Sequence, residues 1–122
     1  MRWLDQPEDH DFDAAHDYLS LVATGPVVAR VVKALRATST VRWKAKDILR
    51  ASGLPELDQD NRHVIKDLHK IRAGEALSPV LLVRGDAMAG HPLIIADGYH
   101  RVCAVHVEDE DAEISCRMAD LH

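Results

Sequence analysis

Ile94-Ile95-Ala96-Asp97-Gly98-Tyr99-His100-Arg101 is an apolar strand that runs straight into a charged turn. Val102-Cys103-Ala104-Val105-His106 continues behind it with helical spacing. A strand that stops at Asp-Gly and restarts as a helix gathers backbone N–H groups, an imidazole and a guanidinium at one point. That combination suits an anion, and a phosphate above all. Asp97 has three roles open to it here: N-cap of the following helix, ligand of a nucleotide-associated magnesium, or general base beside a phosphoryl acceptor.

Working outward, Pro79 precedes Val80-Leu81-Leu82-Val83, a continuous apolar run that predicts a strand. Gly85 to Gly90 reads as the turn of a hairpin, and Leu93 to Ala96 as its second arm. Upstream, Asp60 or Asn61 caps a helix that buries Val64, Ile65, Leu68 and Ile71 and stops at Gly74. Its other side carries His63, Lys66, Asp67, His69 and Lys70. Before it, Val41-Arg42-Trp43 predicts a short strand, and Ala45 to Ala51 a brief helix closed by Gly53 and Pro55. Downstream, Glu108 to Asp111 reads as a solvated acidic loop and Ile114 to Met118 as the last strand. At the other end, Phe12, Ala15, Leu19 and Val22 share one helical face. Pro26 opens a second helix with the stripe Val27, Val28, Val31, Val32 and Leu35. Residues 1–10 read as a frayed arm.

The chain has 122 residues, 47% of them hydrophobic but only 4% aromatic, so aliphatic side chains carry the packing. Its formal net charge of −5 excludes a generally basic surface for nucleic acid. Cys103 and Cys116 form no CxxC pair, and His91, His106 and His122 show no paired ligand spacing, so no metal site is expected. No signal-peptide core or membrane-length apolar run is present, which points to the cytoplasm.

From Trp43 to Met118 the order short strand, loop, helix, "SPVLLV" hairpin, "ADGYHRVCA" turn-helix and final strand resembles the ParB/sulfiredoxin fold. The resemblance implies an α+β fold, a small mixed β-sheet with surrounding helices, here at 41–122 and preceded by an N-terminal helical hairpin at 1–40. Such proteins bind nucleotides where the turn-helix meets the preceding helix: ATP in sulfiredoxins, CTP in ParB proteins, ADP or ATP in some small-molecule kinases. Gly98, His100 and Arg101 match the phosphate-handling Gly-X-His-Arg turn. Tyr99 stands where sulfiredoxins carry their catalytic cysteine, which excludes sulfinic-acid reductase chemistry. The chain ends at His122, leaving no place for the DNA-binding helices of a partition protein.

The resemblance therefore implies a nucleotide site built from Gly98, Tyr99, His100 and Arg101, with Lys66 and Lys70 carried over by position on the preceding helix; Ser78, at the strand entrance, adds a hydroxyl that could reach a ligand. The ligand expected is ATP, ADP or CTP with Mg2+. Asp97 and His100 are the acid–base candidates if phosphoryl transfer or nucleotide hydrolysis takes place. The alternatives left open are a nuclease-like or DNA-associated module, and a non-catalytic homodimer formed through the stripe of the N-terminal helices.

Overall fold

A computed structural model describes residues 1–122, apart from the side chains of Ala89 and His91. The apolar run becomes the central strand β4 (Val80–Asp86) of a four-stranded sheet ordered β2-β6-β4-β5. β2 is Val41–Lys44, β5 His91–Asp97 and β6 Glu113–Asp120. β4 runs parallel to β6 and antiparallel to β5, so the sheet is mixed. Both faces of β4 are covered, which is why its sequence is continuous rather than alternating. Val80 and Leu82 pack under α3 (Ala45–Ser52), α4 (Arg62–Arg72) and α5 (Tyr99–Glu108). Leu81 and Val83 pack under α1 (Asp9–Leu19) and α2 (Gly25–Ala37). The fold is thus a small α+β sheet with an N-terminal helical hairpin on one face.

That hairpin covers the sheet rather than trailing from it. Val28, Val31 and Leu35 of the expected stripe are buried against Leu81, Val83, Ala96 and Ala119 of the chain's own sheet. The bare apolar face that suggested a homodimer is therefore occupied from within, and residues 1–40 share a core with 41–122.

The structure corrects other expectations. The N-terminal arm is not frayed: β1 (Arg2–Trp3) pairs in parallel with β3 (Ala76–Leu77), and Leu4 donates its N–H to the Leu77 carbonyl at 2.8 Å. Trp3 packs on the core and Pro7 is buried, so apolar contact anchors this polar-looking segment. Ile65 is 36% exposed, because α4 turns only Val64 and Leu68 fully inward. β4 extends to Asp86, into the expected turn, and the Asp86 side chain accepts from the Met88 N–H at 2.9 Å. Asn61, not Asp60, caps α4, accepting from the N–H groups of His63 and Val64 at 3.0 and 3.3 Å.

One irregularity positions the site. Leu82 pairs with Ile95 but Leu81 pairs with Asp97, so Ala96 is an extra residue on β5. A bulge of this kind re-aims the side chain that follows it. Asp97 is turned to the face that carries α1, whereas regular alternation would send it among Val80 and the other core.

Candidate functional site

Gly98 ends β5 and opens α5 at φ +104°, in the left-handed region. A Cβ there would stand 2.8 Å from both the Val80 Cγ1 and the Arg101 Nη2. Glycine is what lets the guanidinium fold back over the start of its own helix. Gly98 carries no side chain to cap α5, and Asp97 does not cap it either. The Asp97 carboxylate instead accepts from the Arg101 Nη2 at 3.1 Å. The capping role open to Asp97 in the sequence is thereby overturned, and the first turn of α5 keeps no side-chain acceptor for its N–H groups.

α4 packs beside this turn and supplies the opposite wall. His63, Lys66, Asp67 and Lys70 line a cavity of 240 Å³ together with Asp97, Gly98, His100 and Arg101. Three fixed cations and two imidazoles thus converge on two carboxyls, on a chain whose net charge is −5. The rings of His63 and His100 lie 4.7 Å apart, tilted by 46°. Burial, then the neighbouring His63 ring, holds the His100 imidazole below its ordinary value, with Asp67 pulling the other way. His100 is therefore a neutral donor–acceptor near pH 7. Burial pushes the Asp67 carboxyl up, against the pull of Arg101, Lys70, His100 and Lys66. Asp97 is likewise raised by burial, with Arg101 lowering it and the charge of Asp11 raising it.

Arg101 is mostly buried and its Nε has no hydrogen-bond partner. A buried guanidinium N–H without an acceptor costs free energy; Arg101 as a whole lines the cavity. Magnesium fits this cleft poorly. Asp97 is committed to Arg101, and Asp67 stands among Lys66, Lys70 and Arg101, so neither carboxyl is free for a divalent cation.

Six of the expected residues thus meet: Asp97, Gly98, His100, Arg101, Lys66 and Lys70. Two do not. The Tyr99 hydroxyl donates to the Pro55 carbonyl and its ring packs on the core, tying α5 to the loop after α3. The Ser78 hydroxyl donates to Asp11, and its oxygen accepts from the Glu8 N–H at 3.3 Å, so it is 8% exposed beneath α1. Trp43 also stands apart, in a larger cleft of 530 Å³ with Ile48, Leu93 and Met118. The burial of Asp11 against Ser78 was not legible, because nothing local distinguishes it from Asp9 or Asp13; it depends on tertiary packing. His63 and Asp67 were legible by helical spacing.

The two cysteines are free and buried, and burial pushes the Cys116 thiol up to about 12. Glu8, His10 and Asp11 also cluster, but the first turn of α1 accounts for it: Asp11 accepts from the Glu8 N–H at 3.0 Å. The side chain of His91 lies outside the described residues. Among them, no helix is long and apolar enough to cross a membrane. Comparison with family models, with curated proteins and with solved structures gives no match to this chain.

Proposed function

We propose that this chain binds a phosphate-bearing ligand in the cleft between α4 and the first turn of α5. The observation that carries the reading is Arg101, mostly buried and lining the cleft at an uncapped helix N-terminus faced by Lys66 and Lys70. Helix-terminal N–H groups, a guanidinium and two ammonium groups are the donor set that phosphate oxygens require. The cavity matches a phosphate or diphosphate group better than a whole nucleotide, so a nucleoside would extend beyond it.

The ParB/sulfiredoxin-like resemblance of the "ADGYHRVCA" segment supports a nucleotide, ATP, ADP or CTP, as the source of that phosphate. If phosphoryl transfer or nucleotide hydrolysis occurs, His100 is the acid–base group, since its imidazole is neutral and lines the cleft. Asp97 is a poorer base, because its oxygen is held by Arg101.

Calorimetric titration with phosphate, pyrophosphate, ADP, ATP and CTP, with and without Mg2+, tests the reading. Charge-assisted hydrogen bonds contribute ~1.5–3 kcal/mol each, so Arg101→Ala is expected to weaken binding by about 10- to 150-fold. Wild-type protein that binds none of these at millimolar concentration, or an Arg101→Ala variant of unchanged affinity, refutes it.

A further inference from the structure

β2 is an edge strand: β6 pairs with one side of it, and among the described residues no strand pairs with the other. All four of its residues are exposed. Ala45 donates its N–H to the Ala112 carbonyl at 3.0 Å, in step with the β2–β6 ladder. Alternation then points the backbone groups of Val41 and Trp43 at β6, and the Arg42 N–H and C=O and the Lys44 N–H outward. The side chains alternate as well. Val41 and Trp43 are 42% and 47% exposed. They stand on the face where Met118, Leu82 and Ile48 line the 530 Å³ cleft. Arg42 and Lys44 stand on the other face, opposite Ser115 and Glu113. Among the described residues neither forms an ion pair; it is Lys46 that takes Asp111, at 2.7 Å.

We propose that β2 takes up an extended peptide segment as a fifth strand of the sheet, a segment that alternates acidic with apolar residues. This edge shares no lining residue with the phosphate cleft and needs no phosphate to act. In strand addition the open backbone groups supply the main-chain hydrogen bonds, and alternate side chains supply the selectivity. Acidic residues stand opposite Arg42 and Lys44. Apolar residues stand beside Val41 and Trp43, where a bulky one enters the cleft from its β2 side. Glu113, inboard of Lys44, weakens the attraction at that position, so Arg42 carries more of it. The same cations decide against a second copy of this chain. A two-fold axis normal to the sheet keeps each side chain on its own face. The two antiparallel registers that pair three residues of β2 are therefore centred on Trp43 or on Arg42. The first sets Arg42 against Lys44 at both ends, and the second sets Arg42 against Arg42. Like charges directly opposite each other destabilise a ladder. Charge thus guards the edge against its own kind while drawing in an acidic strand.

The probe is a blocked heptapeptide alternating glutamate with leucine, titrated into the full chain and followed by amide NMR. Shifts and slowed hydrogen exchange are expected at the Arg42 and Lys44 amides, with binding that weakens as salt is added. The same peptide with lysine in place of glutamate, or with every amide N-methylated, should not bind. Charge reversal by Arg42→Glu with Lys44→Glu changes only exposed side chains and should exchange the preference. Taking each of the two cross-strand pairs as about threefold, the glutamate peptide weakens about tenfold and the lysine peptide now binds. Arg42→Glu alone, expected to weaken the glutamate peptide about threefold, serves if the double variant does not fold. Arg42 and Lys44 amides that stay unprotected at millimolar peptide overturn the proposal. So do equal affinities for the glutamate and lysine peptides, or binding undiminished by N-methylation. Displacement of the peptide by pyrophosphate also overturns it, since the peptide then occupies the anion cleft. A dimer of the free chain in which the Arg42 amide is already protected does the same, with a second copy covering the edge.

Discussion

Replacing Gly98 by alanine tests the geometry of the site at its tightest point. The substitution meets two separate costs. The first is backbone: at φ +104° a Cβ-bearing residue is strained by ~1–2 kcal/mol. The second is contact, because the new Cβ falls 2.8 Å from the Val80 Cγ1 on a fully buried central strand. Overpacking against a core that cannot recede costs ~1–3 kcal/mol. Together they remove about 2–5 kcal/mol from a domain whose total stability is about 5–15 kcal/mol. Gly53 provides the control. It too has positive φ, +69°, but nothing lies within 4 Å of its Cβ position, so Gly53→Ala meets the backbone cost alone. Urea unfolding should therefore separate the two variants by ~1–3 kcal/mol. The Arg101 guanidinium, also 2.8 Å from the new Cβ, is the mobile partner and must swing away, so Gly98→Ala should lose phosphate affinity while Gly53→Ala keeps it. Equal destabilisation of the two variants, or full phosphate affinity in Gly98→Ala, refutes the close approach.

Other outcomes follow from the same packing and charges. Leu35→Ala in the hairpin should cost ~2–5 kcal/mol in a single unfolding transition, since Leu35 lies in a core shared with the sheet; a separate early transition in calorimetry would contradict that shared core. Tyr99→Phe loses the hydrogen bond to the Pro55 carbonyl and should cost ~0.5–1.5 kcal/mol in urea while phosphate affinity stays unchanged, which separates its structural tie from ligand contact. His100 has a folded-state value below its ordinary 6.5, so the unfolded chain takes up this proton first. Its contribution to stability is present above pH 6.5 and is lost as pH falls through that value toward the folded one. The stability gap between wild type and His100→Asn, followed by urea unfolding against pH, should shift in favour of the variant across that window.

Local pattern made most of the scaffold legible. Val80–Val83 reads as a strand because four successive apolar residues need cover on both faces, and the structure provides it. The Lys66–Lys70 spacing and the Gly-X-His-Arg turn each identify a helical surface, and the structure sets them across one cavity. What local pattern does not encode is the relation between elements. Ser78 is adjacent to β4 in sequence, yet α1 closes over it and takes its hydroxyl. Tyr99 lies between two cleft-related residues, but its position on α5 carries the ring to the loop after α3. The arm at residues 1–10 is polar enough to read as loose, and only pairing with Ala76–Leu77 reveals that it is held. Asp97 owes its orientation to a bulge on β5, a register shift that composition does not signal.

That bulge explains why a buried charge cluster is tolerable at this point. With regular alternation Asp97 would face Val80, Val102 and Ile95, where an ionised carboxyl without partners costs several kcal/mol. The extra residue, Ala96, diverts it to the face that carries the start of α1, where Asp11 accepts from Ser78 and from the Glu8 N–H. Paired with Arg101, Asp97 leaves the first N–H groups of α5 without a side-chain acceptor. One irregular residue thus has two consequences that reinforce each other. The helix end keeps its free N–H groups, and Arg101, drawn back over Gly98 to reach Asp97, keeps an Nε without an acceptor beside them. Under the proposed reading, a phosphate that gives oxygens to the uncapped helix end and to Arg101 adds to the stability of the fold.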